Sequence, residues 1–433
     1  MFFGNCESQH AASLRAALPK EYIQQLRALQ DNAPCRSLDR VMEVLRAEFG
    51  SESVDLISLD EDPIGCASLA QVHRATLNDG SVVALKVQHF DLRKLVESDV
   101  SLVKTLDYWG SRCFESFNLS WALKDFEENL KKELDFELEA RNCERCRLLF
   151  ESDPSFASKI KIPKVYWKFT SSRVICMELI SNAIPIYDTT ALTTQNVDLR
   201  KVSNNVLEAF ACMMFRWGFV HCDPHPGNML VCAGDKDFPE KVAILDHGLY
   251  RELDPSFRIS NCNLWRAMLL QDEHVVRTEC TAMGIGAFWN MMPFLFVNRP
   301  INSASRLGEP AVFGTKDKMQ LRKELGIEKV SLASIGSLGD ALPNDMIFLL
   351  KTMHLIKDVN DILGGTNKDR FLIYGRYAVT SELSVVKNWY NWLRFMTTYY
   401  AMDTWVTLFS PAKSNSSEPV SMSTIISEDF NKY

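Results

Sequence analysis

The chain has 433 residues, of which 46% are hydrophobic and 24% charged, and its formal net charge is −7. That length supports a large core and more than one lobe. The acidic balance lacks the basic footprint of a nucleic-acid-binding domain, so no nucleic-acid partner is expected, and no run of about 18 or more apolar residues marks a membrane-spanning helix.

The opening MFFGNCESQH lacks the charged and then apolar stretch of an export signal. It also lacks the Arg-rich, acid-poor character of a mitochondrial transit peptide. Residues 13 to 49 read as two helices around Pro34: Leu14, Leu18, Tyr22, Leu26 and Leu29 recur at helical spacing, as do Leu38, Val41, Met42, Leu45 and Phe49. The period then changes. SLAQVHRATL and SVVALKVQH flank Asn78-Asp79-Gly80, the residue types that tolerate positive φ in a hairpin turn. Helical spacing returns over 122–150, with Leu123, Phe126, Leu130, Leu134 and Leu138 on one side.

RVICMELI, 173–180, reads as a short apolar strand, and 199–217 as a mostly buried helix leading into FVHCDPHPGNMLV. KVAILDHGLY, 241–250, reads as a buried strand ending at Asp246. Most of 255–405 has helical character, including a helix with Asn344 as N-cap and Gly364 as its stop. Within it, AFWNMMPFLFV (287–297) reads as core, with a lipid-facing patch as the alternative. The tail from Pro411 has a disordered composition. Strands followed by helices give an α+β class, laid out as an N-terminal helical extension (1–58), a strand-rich lobe with inserted helices (59–185), a helical lobe (186–405) and a tail (406–433).

Twelve scattered cysteines suit a reducing compartment better than a disulfide scaffold, and no disulfide-linked partner is expected. Cys143 and Cys146 form a C-x-x-C with no second pair at zinc-finger spacing. They read as buried, inert thiols, with a metal or redox role as the alternative.

Four polar features follow in order: Lys86 on an apolar strand; the acidic cluster Glu133, Asp135, Glu137 and Glu139; His221-Cys-Asp223-Pro-His225-Pro-Gly-Asn228; and Asp246-His247-Gly248 at a strand end. Phosphoryl transfer from a nucleotide uses these residue types: a lysine held by a helix carboxylate, an aspartate for the acceptor hydroxyl, and an asparagine and second aspartate for Mg²⁺. His221, Asp223 and Asn228 keep the spacing of H-R-D-x-x-x-x-N, and Asp246-His-Gly stands where D-F-G follows. A metal-dependent hydrolase built on His221, Asp223, His225, Asp246 and His247 is the competing reading. Pro224 and Pro226 preclude a helical His pair there, and that reading leaves Lys86 without a role.

With Pro63-Ile-Gly-Cys-Ala-Ser-Leu-Ala-Gln-Val-His73 added, the chain resembles the UbiB/AarF-domain atypical kinases from about Gln9 to about residue 380, and is most similar to their mitochondrial AarF-domain-containing branch. The resemblance implies a bilobal protein-kinase-like fold with a helical N-terminal extension, using ATP and Mg²⁺. It implies Lys86 on the ATP phosphates paired with Glu139, Asp223 as the catalytic-loop aspartate beside His221, and Asn228 and Asp246 as Mg²⁺ ligands. Cofactor contacts would come from Pro63, Ile64, Gly65, Cys66, Ala67 and Ser68, an Ala-rich loop in place of a Gly-rich one, and from Met177 and Glu178. Glu133 and Asp135 match an E-x-D motif that faces the extension. Of the extension's K-x-G-Q motif only Gln9 remains, in Cys6-Glu7-Ser8-Gln9. The resemblance also implies mitochondrial placement, a lipid- or quinone-related small molecule and peripheral membrane contact. Two functions stay open: a Mg-ATP-dependent ATPase or small-molecule or lipid kinase, and a non-catalytic nucleotide-dependent scaffold.

Overall fold

The structure, a computed structural model, describes residues 35–54, 57–67, 69–113, 134–297 and 342–381, with isolated positions up to 400. Gln9, Ser68, Glu133, the helix expected before Pro34, the first part of 122–150 and the tail lie outside the described residues. The chain folds as two compact units. One comprises the described residues of Met1–Ala157, Lys161–Ala183 and Ala243–Leu249; the other, those of Ser158–Ile160, Ile184–Val242 and Tyr250–Tyr433.

The first unit is built on an antiparallel sheet of β1 (Ile57–Leu59), β2 (Gly65–Cys66), β3 (Ala70–Leu77), β4 (Val82–Gln88) and β5 (Val174–Glu178). Its order is β1-β3-β4-β5, with β2 also on β3. The hairpin between β3 and β4 turns where Asn78-Asp79-Gly80 indicates: Gly80 has φ +84°, and the Asp79 carboxylate accepts from the Ser81 N–H at 2.8 Å. Alternation along β4 sends Val83, Leu85 and Val87 to one face. There they meet Val41, Val44 and Leu45 of helix α1 (Leu38–Phe49) in a single core. Lys86 therefore faces the opposite side. Helix α2 (Leu92–Cys113) follows β4, an element the periodicity reading did not assign.

The helix expected over 122–150 is shorter within the described residues. Helix α3 runs Phe136–Glu151, and Asp135 is its N-cap, accepting from the N–H groups of Glu137 and Leu138. An aspartate that satisfies otherwise orphaned amides starts a helix there, although the Leu134/Leu138 spacing suggested continuity. The cysteine reading also needs correction: Cys35 and Cys66 form a disulfide. Beside it, the Arg36 N–H donates to Gln71 Oε1 at 2.8 Å, and Gln71 Nε2 donates back to the Arg36 carbonyl at 3.2 Å.

In the second unit, helix α4 (Leu199–Ala211) is capped by Asp198 and passes into a π-helical turn, Cys212–Trp217. Gly218, at φ +66°, ends it; the left-handed conformation disfavours any residue with a Cβ. The chain turns directly into β7 (Phe219–His221), which pairs with β10 (Tyr250–Glu252), while β6 (Ile184–Pro185) pairs with β8 (Met229–Val231). Strand β9, Val242–Ile244, carries the chain from the second unit into the first and ends two residues before Asp246. Helices α5 (Pro255–Leu270), α6 (Glu273–Ala282), α7 (Asn344–Ile362) and α8 (Asn367–Thr380) also belong to the second unit. The N-cap of α7 is Pro343, one residue before the expected Asn344, and Gly364 follows its end at φ +71°. Trp265, Phe215, Tyr374 and Phe296 pack edge to face in its core. Met291, Met292, Phe296 and Val297 are all buried, which makes this part of 287–297 core.

Candidate functional site

Helix α3 buries Phe136, Glu139, Ala140, Cys143, Cys146 and Phe150, one stripe at helical spacing. A carboxylate in such a stripe is costly to bury unless it is paired. Glu139, 4% exposed, is paired. Lys86 Nζ donates to its Oε1 at 2.7 Å and its Oε2 at 3.0 Å, and to Asp246 Oδ2 at 3.1 Å. The ammonium also lies 5.0 Å from the centre of the Phe136 ring, a cation–π contact. Burial opposes the charge on Lys86, but the carboxylates of Asp246 and Glu139 outweigh it and hold the ammonium pKa above its ordinary value. Burial pushes the Glu139 carboxyl up, against the pull of Lys86. One ammonium between two carboxylates leaves an excess negative charge, and Asp246 is the more exposed of the two acids.

The Asp246-His-Gly segment is held on both sides. Gly248 N–H donates to Asp246 Oδ1 at 2.9 Å. His247 is buried; its Nε2 donates to the Ile244 carbonyl at 3.1 Å, and its own carbonyl accepts from Asn142 Nδ2 at 3.1 Å. Helix α3 thus supplies both the lysine's partner and a brace for the aspartate's neighbour. At the other end, Gln88 Nε2 donates to the Leu134 carbonyl at 2.7 Å, tying β4 to the start of α3.

The 63–68 loop is not a free flap over its described part. Ile64 N–H donates to the Val72 carbonyl and Ala67 N–H to the Ala70 carbonyl, both at 2.8 Å. The Ala67 carbonyl accepts from His89 Nε2 at 3.0 Å, and Cys66 is covalently bound to Cys35. A Gly-rich loop offers such amides to phosphates; here two of them are engaged with β3. Gln71 and His73 of the same motif have structural partners. Gln71 Nε2 donates to His73 Nε2 at 2.8 Å, and His73 Nδ1 to the Asp60 carbonyl at 3.0 Å. Met177 and Glu178 end β5, and the Glu178 carboxylate pairs with Lys161 at 2.8 Å. Asp135 caps α3, and Glu137 on the helix surface pairs with Arg141.

In the second unit His221 is fully buried and stacks on Tyr250, its partner in the β7–β10 ladder, with ring centres 5.1 Å apart. It fixes the base of the loop that follows. His225, whose role the sequence leaves open, caps the 3₁₀ turn Pro226–Asn228 by accepting from the Gly227 N–H. That turn presents Asn228, whose side-chain amide has no hydrogen bond to another of the described residues. Asp223 is 45% exposed, and its Oδ1 meets Lys351 Nζ of helix α7 at 3.1 Å. Sequence reasoning missed Lys351, because a lysine on an amphipathic helix has no local mark of function. The buried thiol of Cys222, beside Asp223, is pushed up to about 12 by burial. Cys143 and Cys146 are buried on α3, and burial also pushes Cys143 up; such thiols are poor nucleophiles.

Mg²⁺ takes hard oxygen donors and is bound by one or two carboxylates plus waters and substrate phosphates. The Asp246 carboxylate and the Asn228 amide oxygen are donors of that kind. Among the described residues no group of three or more His, Cys, Asp and Glu side chains is arranged to hold a metal ion.

Comparisons with known proteins show the family and the fold. The family model for the ABC1 atypical kinase-like domain matches residues 28–279. The chain is 32% identical over 368 residues to AarF domain-containing protein kinase 1 of Xenopus laevis, covering 84% of this chain and 69% of that protein. It is 31% identical over 377 residues to AarF domain-containing kinase 1 of Drosophila melanogaster, covering 86% and 71%. A Mycobacterium tuberculosis protein solved as a complex with erythromycin is similar at a TM-score of 0.52 and 20% identity, over 83% of this chain and 87% of that one. At that identity the likeness shows the fold alone.

Proposed function

Since the chain belongs to the ABC1 atypical kinase-like family, we propose that it binds Mg-ATP and transfers or hydrolyses its terminal phosphoryl group. The observation that carries this reading is Lys86 held between Glu139 and Asp246. A half-buried lysine fixed by a helix carboxylate is the phosphate-charge partner that phosphoryl transfer needs. The excess negative charge of the cluster suits a cation on Asp246. In this reading Lys86 contacts the phosphates, Asp246 and Asn228 hold Mg²⁺, and Asp223 receives the acceptor's proton. When bound, Mg²⁺ neutralises charge developing on the phosphate oxygens. Pro63, Ile64, Gly65, Cys66, Ala67, Met177 and Glu178 contribute nucleotide contacts. A mitochondrial setting and a lipid- or quinone-related acceptor belong to the same proposal, on the strength of the resemblance.

The test is thermal stability with and without Mg-ATP, for the wild type and Asp246→Asn. A ligand that binds only the folded state stabilises by about 2.7 kcal/mol at a hundredfold excess over Kd. A shift that requires Mg²⁺ and disappears in Asp246→Asn is expected; no shift at millimolar Mg-ATP refutes the nucleotide site. The engaged loop amides of Ile64 and Ala67 favour a second reading, a nucleotide-binding scaffold without turnover. Mg-ATP binding without phosphate release, with or without lipid vesicles, would select it.

A further inference from the structure

We propose that Lys351 is a positioning residue for Asp223: it holds one carboxylate oxygen so that the other faces the acceptor. The inference rests on the phosphoryl-transfer reading above and adds a residue to it. Asp223 Oδ1 lies 3.1 Å from Lys351 Nζ, and Oδ2 has no partner among the described residues. Lys351 is 24% exposed, so the pair is partly shielded from water and the ammonium's reach is restricted. The loop itself offers no substitute, since Pro224, His225, Pro226 and Gly227 contain neither lysine nor arginine.

The lysine is also well placed by its helix. Three side chains at i, i+3 and i+7 anchor α7 beside the loop. Asp345 accepts from Arg251 Nε at 2.6 Å. Phe348 lies under the same guanidinium, 5.6 Å from ring centre to Cζ. Thr352 lies beside the Cys222 thiol next to Asp223; its hydroxyl donates to the Phe348 carbonyl and the thiol to the Val220 carbonyl. Arg251 stands on β10 opposite Val220 of β7, the strand that leads into the loop. Loop, strand pair and helix therefore share one set of contacts, and Lys351 sits one residue before the last of them.

In the reaction, the acceptor oxygen bonds to the terminal phosphorus as its proton passes to Asp223. The bridging oxygen leaves on ADP with the bonding pair. Lys351 neither gives nor takes a proton; it fixes the direction of the receiving oxygen.

The experiment measures Mg-ATP turnover, as inorganic phosphate release, and Mg-ATP affinity for the wild type, Lys351→Met, Lys351→Arg, Asp223→Asn and the double variant Asp223→Asn/Lys351→Met. Misplacing a reacting group by about 1 Å costs about a hundredfold. Lys351→Met is therefore expected to lower kcat by about that factor with Mg-ATP affinity unchanged. Lys351→Arg should recover most of the rate, and the double variant should be no slower than Asp223→Asn alone. If Lys351→Met does not fold, Lys351→Gln carries the same expectation. Full activity in Lys351→Met, an effect on affinity alone, or losses that multiply in the double variant would each overturn the inference while leaving the nucleotide site intact. A wild type that neither binds nor turns over Mg-ATP overturns the underlying reading and this one with it.

Discussion

Glu139 holds Lys86 with both carboxylate oxygens, at 2.7 and 3.0 Å, from a helix position otherwise reserved for core residues. The two partners are not equivalent. Without Glu139, Lys86 still faces the partly exposed Asp246. Without Lys86, Glu139 is a buried carboxylate lacking its cation. Breaking a buried pair in that way costs about 3–5 kcal/mol. Lys86→Met is therefore expected to lower urea-unfolding stability by about that amount, and Glu139→Gln by clearly less. Equal losses would contradict the asymmetry.

Glu208 joins distant segments of the second unit, pairing with Lys159 and with Arg376 of helix α8. Burial works against its ionisation, but the two cations outweigh it and hold the carboxyl below its ordinary value. A depressed carboxyl stabilises the fold above its unfolded pKa of about 4.3 and loses that contribution as pH falls through its folded value. The wild type should accordingly lose stability more steeply below about pH 4.3 than Glu208→Gln does. Parallel stability–pH curves would remove Glu208 from the account.

The Cys35–Cys66 bond spans 31 residues. Closing a loop of that size restricts the unfolded chain by about 3–4 kcal/mol. Peptide mapping without reductant should recover Cys35 and Cys66 in one linked species that separates with a dithiol. Cys35→Ser should be less stable than wild type by up to that amount in oxidising buffer and equal to it in reducing buffer. Two free thiols at these positions after oxidative purification would refute the bond.

Phe296 is buried against Trp265. Removing a large aromatic side chain from a core costs about 3–5 kcal/mol, and a charge in its place adds desolvation. Phe296→Glu is expected to unfold the second unit. A folded, stable variant with reduced vesicle flotation would instead revive the lipid-facing reading of 287–297.

Much of the site was legible because its chemistry is local. The loop from His221 to Asn228 and the Asp246-His-Gly turn each carry their residue types within a few positions, and period-two alternation placed Lys86 on a strand. The helix carrying Glu139 was legible too, but its start was not. Leu134 and Leu138 keep helical spacing, whereas the boundary depends on the Asp135 side chain capping two amides. The disulfide was hidden because twelve cysteines do not declare a pairing. Gln71 and His73 end the motif that carries the resemblance and were given no role of their own; their partners include the Arg36 and Asp60 carbonyls. Lys351 was illegible for a simpler reason: its only mark is the residue it touches.

That contact also bears on modularity. The recognisable family domain spans residues 28–279, and helix α7 begins only at Asn344. A chain cut at the domain's edge would keep every motif yet leave Asp223 without its cation and Arg251 without Asp345. The Asp223–Lys351 contact thus reaches beyond the residues that the family model matches, and moving 28–279 alone between relatives would separate the two partners.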